Sequence, residues 1–208
     1  TFDIDKYLVE GENVISVILG NGWYFQNERE EYLPLYFDSP RLLAQLEFQN
    51  LDKTKSIIVS DDSWKINTGP ILDNNLYHGE IYDARLEIPN WILPNYDDSK
   101  CTNAKILSAP KGKLYCQMSP PDRIINSIKP ISISKINKAI YRYDFGTMFS
   151  GWVKLYINGK RGDEIKLTFF EDSGNSFEQS DTYILKGNGN EIWEPRFTFH
   201  GFRYVEIA

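Results

Sequence analysis

The sequence predicts an all-β chain made of two antiparallel β-sandwich units. Three observations predict it: apolar residues recur with a period of two, polar turn signals separate the runs, and aromatic residues reach 14% of the chain. The 208 residues allow one large β domain or two small ones, either able to bury a core. The only helix expected is a single turn in residues 3–9, which begins with an Asp and ends before Gly11.

The predicted strands follow one another along the chain. Apolar side chains recur at every second position in residues 42–48, 153–157, 165–169 and 202–205. Turns are expected at Asn158-Gly159, at residues 161–163 and at residues 187–190. Residues 14–19 are different because only Ser16 interrupts an apolar run, which predicts a strand buried on both faces.

A connector between the two units is expected between residues 119 and 138. This stretch contains Ser119-Pro120-Pro121 and Lys129-Pro130, followed by a polar run of Ser, Lys and Asn. Proline disfavours the helical region for the residue before it, so the segment should be extended. The predicted domains are therefore residues 1–125 and residues 130–208.

Composition argues against several classes of partner. The net charge is −6 and no Lys/Arg cluster is interleaved with aromatic residues, so no nucleic-acid partner is expected. The apolar runs are too short to span a bilayer, so no membrane partner is expected. Cys101 and Cys116 lack metal-ligand spacing, and neither His78 nor His200 is near them in sequence, so a zinc site is not expected. Two free thiols are favoured, with a disulfide as the alternative in an oxidising compartment.

A series of motifs, in order along nearly the whole chain, resembles the two domains that precede the catalytic domain in bacterial α-L-rhamnosidases. Each motif alone is weak, and their order and spacing carry the resemblance. The motifs are Gly11-Glu12-Asn13-Val14, Leu19-Gly20-Asn21-Gly22-Trp23-Tyr24, Ser60-Asp61-Asp62-Ser63-Trp64-Lys65, Gly69-Pro70-Ile71, Asn75-Leu76-Tyr77-His78-Gly79-Glu80-Ile81-Tyr82-Asp83-Ala84-Arg85, Tyr143-Asp144-Phe145-Gly146, Ser150-Gly151-Trp152-Val153, Trp193-Glu194-Pro195-Arg196-Phe197 and His200-Gly201-Phe202-Arg203-Tyr204-Val205.

The resemblance implies a jelly-roll unit followed by a concanavalin-like β-sandwich. It also implies a parent glycoside hydrolase that releases terminal α-L-rhamnose with inversion, with catalysis in a later helical barrel whose acidic motif has no counterpart here. The family's first domain usually opens with strands before Asp3, so the first unit is expected to be incomplete and to self-associate. We expect this chain to be inactive alone and to support the catalytic helical domain. A periplasmic or secreted location is favoured for the parent enzyme.

Candidate sugar-binding residues lie in two segments. Asn21, Trp23 and Tyr24 follow the predicted strand at residues 14–19, and an exposed Trp offers an apolar face for a sugar ring while Asn offers a donor and an acceptor. The alternative is a packed loop Trp with Asn21 chosen for turn geometry.

The second candidate segment contributes Asn75, Glu80 and Asp83. A glycosidase needs two carboxyls set at a defined separation, but the odd spacing of Glu80 and Asp83 sends them to opposite faces of a strand. The interpretation favoured for these two acids is that each anchors a turn or pairs with Arg85. His200 is expected at a turn rather than in acid–base catalysis, because no nucleophile motif accompanies it.

A calcium site at Asp73, Asn74 and Asn75 is a further hypothesis, because calcium prefers oxygen ligands and the resemblance permits such a site. No cofactor is otherwise required. The alternative is that these are ordinary solvated loop residues.

Two rival functions stay open for the whole chain: a stand-alone carbohydrate-binding β-sandwich module that binds through residues 21–24, and a purely structural interaction domain. Rhamnose binding with and without calcium would separate them.

Overall fold

The computed structural model describes residues 2–25, 39–50, 52–109, 112, 113, 115, 118–172, 174 and 179–208. The regular structure in these residues consists of strands and two single 3₁₀ turns, Asp5–Tyr7 and Ala84–Leu86, which confirms the all-β prediction. The strands are β1 (Gln45–Gln49), β2 (Lys55–Val59), β3 (Lys65–Ile66), β4 (Ile71–Asn75), β5 (Gly79–Asp83), β6 (Thr102–Asn103), β7 (Ser132–Lys135), β8 (Tyr141–Gly151), β9 (Leu155–Asn158), β10 (Glu164–Phe170), β11 (Ser180–Ile184), β12 (Asn190–Trp193) and β13 (His200–Ile207). None of the helical turns among these residues is long and apolar enough to cross a membrane.

The chain packs into two compact units that alternate along the sequence. Unit 1 contains Thr1–Ile18, Arg41–Asn67 and Pro89–Asn126, and unit 2 contains Leu19–Pro40, Thr68–Ile88 and Ser127–Ala208. The domain boundaries expected from the sequence, 1–125 and 130–208, stay a prediction.

Unit 2 is built on a seven-stranded sheet in the order β4-β5-β11-β10-β13-β8-β7. All neighbouring strands are antiparallel except β5 and β11, which run parallel. A separate antiparallel pair, β9 and β12, contributes Leu155 and Trp193 to the same buried cluster as the large sheet. The core therefore lies between the seven-stranded sheet and this pair, as in a sandwich.

Strand β10 shows why the alternating pattern produces this core. Leu167 and Phe169 are fully buried, while the residues between and beside them are more exposed. On β13, the predicted alternation of Phe202 and Tyr204 is wrong, because the register shifts between these residues. Phe202 lies opposite Phe149 but Tyr204 lies opposite Asp144, so β8 has three more residues than β13 between these two pairs, and the alternation of β13 is broken at this irregularity. Val205 is consequently buried in place of Tyr204.

Unit 1 contains two short antiparallel pairs, β1 with β2 and β3 with β6. None of its described side chains is fully buried. Residues 14–18 of unit 1 and Leu19 of unit 2 form no strand, and the apolar members of residues 14–19 are 40–45% exposed. The predicted buried strand is therefore wrong, because no described strand pairs with this segment to cover it. Cys101 is a free thiol, and Cys116 lies outside the described residues.

Candidate functional site

Two exposed rings stand together on unit 2. Trp23 is 55% exposed and meets Tyr77 edge to face, with the ring centroids 5.6 Å apart and the planes at 84°. Tyr24, the next residue, is 41% exposed. Edge-to-face packing fixes the orientation of both rings while leaving aromatic surface in solvent. We call Trp23 and Tyr77 the aromatic ledge.

The loop that carries Trp23 is fixed by a pair of asparagines. The backbone N–H of Asn21 donates to Asn74 Oδ1 at 2.7 Å, and Asn21 Nδ2 donates to the Asn74 carbonyl at 2.8 Å. Asn74 ends up buried near the end of β4, so the loop is tied to the edge of the large sheet. Asn21 is thus a support for the ledge, because its backbone N–H and its side-chain Nδ2 both donate to Asn74.

The turn between β4 and β5 presents Tyr77. Asn75 Oδ1 accepts from the backbone N–H of Tyr77 at 2.8 Å and of His78 at 3.2 Å, which closes the turn. Gly79 follows with φ at +113°, and a Cβ there would lie 2.0 Å from the Ser180 carbonyl oxygen. Only glycine fits this backbone and this close approach to β11.

A buried polar cluster lies directly behind this turn. The side chains of Glu80, Asp181 and His200 are at most 1% exposed. Asp181 Oδ1 accepts from the Glu80 backbone N–H at 2.9 Å and lies 3.1 Å from His200 Nε2. The His200 ring stacks on Phe169, with centroids 4.0 Å apart. His200 therefore belongs to the interior at the start of β13, which corrects its expected place in a turn.

The Glu80 carboxylate is held by the chain just before β13. Its Oε2 accepts from the backbone N–H groups of Arg196 at 3.1 Å and Phe197 at 3.3 Å, while Oε1 has no partner among the described residues. Burial raises the pKa of Glu80 to about 7, and Asp181 adds to the rise, although the two backbone hydrogen bonds oppose it. Because Glu80 is fully buried, it does not reach a ligand on the surface in this structure.

Asp83 serves a local purpose at the end of β5. Its carboxylate accepts from Arg85 Nε at 2.8 Å and Nη2 at 2.7 Å, and it also caps the Arg85 backbone N–H at 3.0 Å. The hydrogen bonds from Arg85 hold the pKa of Asp83 below its usual range. Glu80 and Asp83 thus have different partners: the Glu80 carboxylate accepts from the backbone of residues 196 and 197, and the Asp83 carboxylate accepts from Arg85.

The proposed calcium ligands are already engaged. Asp73 Oδ1 accepts from the Asn74 backbone N–H at 2.8 Å, and the side-chain oxygens of Asn74 and Asn75 accept the backbone bonds described above. Within the described part of the chain, no group of three or more His, Cys, Asp and Glu side chains is placed to hold a metal ion. Calcium binding here stays a prediction.

Two family profiles match the chain in order. The profile described as "Alpha-L-rhamnosidase N-terminal domain" matches residues 1–126, and the one described as "Bacterial alpha-L-rhamnosidase concanavalin-like domain" matches residues 134–208. The chain belongs to the bacterial α-L-rhamnosidase family. The family predicted from the motifs is confirmed, as is the prediction that the chain is a non-catalytic β-sandwich part of such an enzyme.

Curated α-L-rhamnosidases match the chain over its whole length. One from Formosa agariphila is 35% identical over 226 residues, covering 99% of this chain and 24% of that protein. One from Streptomyces avermitilis is 33% identical over 220 residues, covering 100% of this chain and 21% of that protein. The chain therefore spans less than a quarter of the length of these relatives.

Solved α-L-rhamnosidase structures share the fold. The enzyme from Dictyoglumus thermophilum superposes with a TM-score of 0.79 and 44% identity, covering 83% of this chain and 21% of that chain. The Streptomyces avermitilis enzyme, solved in complex with L-rhamnose, gives a TM-score of 0.75 and 34% identity over 80% of this chain and 17% of that chain.

Sequence reasoning about this rhamnosidase chain missed two residues of the candidate site. Tyr77 completes the ledge with Trp23, although the sequence marks it only as part of a motif. Phe197 is likewise marked only as part of a motif, although a Cβ at Gly20 would lie 2.3 Å from its ring. Both contacts join segments far apart in sequence, and the local signal is limited to Asn75 and Gly79, two turn-forming residue types that flank Tyr77.

Proposed function

We propose that the chain is the supporting β-sandwich region of an exo-acting enzyme that releases terminal α-L-rhamnose with inversion. In this proposal it braces the catalytic helical domain of the parent and presents the aromatic ledge to a rhamnose-containing glycan. The observation that carries the sugar contact is the pair of exposed rings of Trp23 and Tyr77, held by the bond pair between Asn21 and Asn74.

The chemistry of the ledge suits a sugar ring. A pyranose has one face of C–H groups that packs on an aromatic ring, and its hydroxyls need donors and acceptors nearby. Trp23 and Tyr24 supply exposed aromatic surface, and Tyr24 and Tyr77 each carry a phenolic group. Of the other predicted contacts, Asn21, Asn75, Glu80 and Asp83 bond to the protein itself, so we assign them to the support of this surface.

The test of sugar binding is a pair of substitutions in unit 2. Trp23→Ala should weaken binding of methyl α-L-rhamnoside at least about tenfold in calorimetry, because it removes the stacking surface. Tyr156→Ala is the matched control, since Tyr156 is an exposed aromatic outside the ledge. Equal affinities of the two variants would contradict the assignment of the site.

Hydrolysis is not expected from this chain alone. A glycosidase would need two acids, and the candidate pair in this chain is Glu80 and Asp83. The Glu80 carboxylate accepts hydrogen bonds from two backbone N–H groups, and the Asp83 carboxylate accepts them from Arg85. We predict no release of the aryl group from an aryl α-L-rhamnoside by the purified chain. Release that disappears in Glu80→Gln would overturn this.

A stand-alone carbohydrate-binding module is the second candidate function, and the same exposed ledge favours it. The two proposals differ in what the parent does. If Trp23→Ala abolishes rhamnoside binding by this chain but leaves the rate of the full-length enzyme unchanged, the chain acts as an independent module.

Titrations with and without calcium in the same series test the ion site proposed at Asp73, Asn74 and Asn75.

We also propose that the chain self-associates through unit 1. Val14, Ile15, Val17 and Ile18 are each at least 40% exposed, and no third strand pairs with β1 and β2 among the described residues. Light scattering should show mass rising with concentration. A monomer up to high micromolar concentration would contradict self-association.

A further inference from the structure

We infer that Glu80 is a positioning residue for the aromatic ledge and that it acts through Phe197 and Gly20. This inference rests on the proposed sugar contact at the ledge. The sequence placed Glu80 among the sugar-binding residues. In this inference Glu80 does not contact the sugar and instead positions the ledge from the protein interior.

The first link joins Glu80 to the segment before β13. Its Oε2 accepts two consecutive backbone N–H groups, those of Arg196 and Phe197, at 3.1 and 3.3 Å. A single acceptor that takes two adjacent N–H groups fixes the direction of the backbone at that point. Glu80 therefore sets the direction in which the Phe197 side chain leaves the backbone.

The second link joins Phe197 to the loop of Trp23. A Cβ built on Gly20 would lie 2.3 Å from Cγ of the Phe197 ring and 2.4 Å from Cδ1. Any other residue at position 20 would displace the ring or the loop, since real Cβ atoms do not approach so closely. Gly20 is followed at once by Asn21, whose bonds to Asn74 hold the loop from the other side.

The third link returns to the same strand pair. Glu80 on β5 lies directly opposite Asn74 on β4, so both supports of the Trp23 loop meet at this register position. Thr198 Oγ1 also donates to the Leu76 carbonyl at 3.4 Å, next to Tyr77. The buried carboxylate of Glu80 thus supports the backbone beneath both rings of the ledge. The charged and titratable groups around Glu80 include Asp181, His200, Arg196 and Tyr82.

The decisive experiment compares two glycine substitutions. Gly20→Ala places a methyl group in the Phe197 ring, whereas Gly69→Ala, also in unit 2, meets nothing within 4 Å and has ordinary backbone angles. The readout is the indole N–H resonance of Trp23 in the NMR spectrum of protein whose five tryptophans carry ¹⁵N. The resonance that disappears in Trp23→Phe is the one that belongs to Trp23. Gly20→Ala should shift this resonance and weaken methyl α-L-rhamnoside binding about tenfold. Gly69→Ala should change neither.

Substitutions at Glu80 test the first link of the relay, by which we mean the path from Glu80 through Phe197 and Gly20 to the Trp23 loop. Glu80→Gln keeps an oxygen that accepts the N–H groups of Arg196 and Phe197, so the Trp23 resonance should stay close to that of the unsubstituted chain. Glu80→Leu removes the acceptor at similar size and should reproduce the shift caused by Gly20→Ala. If Glu80→Leu does not fold, the comparison of Gly20→Ala with Gly69→Ala still tests the link from Phe197 to the Trp23 loop, and a Trp23 resonance that does not move in Gly20→Ala overturns the inference.

The outcomes separate this inference from the proposed function. A Trp23 resonance that stays in place in Gly20→Ala would overturn the relay even if the sugar binds. Absence of rhamnoside binding by the unsubstituted chain would instead overturn the sugar contact, while the resonance shifts would still report whether Glu80 positions the ledge.

Discussion

The two units use similar residues in different ways. The strands of both carry alternating apolar side chains, but every fully buried residue that the structure describes lies in unit 2. In unit 2 a seven-stranded sheet faces the β9–β12 pair, so a side chain can be covered from both layers. In unit 1 the described strands form only two-stranded sheets, and Ile57, Ile58 and Val59 stay 45–58% exposed. A hydrophobic pattern produces a core only where a second layer exists to receive it.

Carboxyl groups show the same contrast. In unit 1, Asp52, Asp61 and Asp97 each cap a turn at the surface by accepting from the residue two positions later. In unit 2, Glu80 and Glu191 are buried and each accepts several backbone bonds. A carboxylate in water loses little when its partner is removed, whereas a buried one is left without solvation.

The largest effect is expected in the core of unit 2. Phe202→Ala should lower its stability by about 3–5 kcal/mol, because Phe202 is fully buried among Phe145, Phe149 and Phe169. Phe48→Ala on β1 removes the same atoms from a half-buried position and should cost about 1 kcal/mol or less. Hydrogen exchange read separately for peptides of each unit measures both. Comparable losses would break the contrast between the units.

The second effect concerns pH. The folded pKa of Glu80, about 7, lies above its ordinary value of 4.5. The stabilisation from its bound proton is therefore complete below pH 4.5 and lost as pH rises through about 7. Glu80→Gln, which resembles the protonated form, should be more stable than the unsubstituted chain by about 3 kcal/mol at pH 8, with the two nearly equal at pH 4.

Denaturation of both proteins across this range tests that prediction. The difference between them isolates Glu80 from the other titrating groups. Glu47→Gln on β1, where the side chain is exposed, is the control for the same substitution in unit 1. A constant gap for Glu80→Gln would show that the buried carboxyl does not hold a proton.

The third effect has the opposite sign. Burial opposes ionisation of Glu191, but hydrogen bonds from the Tyr183 hydroxyl and from the backbone of residues 186–188 lower its pKa below the ordinary value. Its stabilisation is present above that ordinary value and lost as pH falls through the folded pKa. Glu191→Gln should cost on the order of 2 kcal/mol at pH 7 and less in acid. A cost that grows in acid would contradict the assigned ionised state.

Local pattern was enough to predict β10, where period-two burial continues without interruption, and to predict that Trp23 is exposed. It failed on β13, because a bulge is a feature of strand pairing and leaves no mark on the alternation before it. The parallel pairing of β5 with β11 and the packing of Phe197 on Gly20 join residues about a hundred or more positions apart. Such contacts depend on topology, which a single sequence does not specify.

The smallest effect is expected at a turn of unit 1. Asp61 Oδ1 accepts from the Ser63 backbone N–H at 2.9 Å and from the Ser63 hydroxyl at 2.5 Å, and these bonds lower its pKa. Because Asp61 is fully exposed, water takes over both bonds in Asp61→Ala, and the midpoint of global unfolding should not move. The Ser63 amide should nevertheless exchange faster, since its own acceptor is gone. Asp62→Ala is the neighbouring control: the Ser63 amide donates to Asp61 and not to Asp62, so this substitution should leave its exchange unchanged. A clear loss of global stability in Asp61→Ala would mean that unit 1 depends on its surface turns as unit 2 depends on its interior, and the contrast between the units would then have to be redrawn.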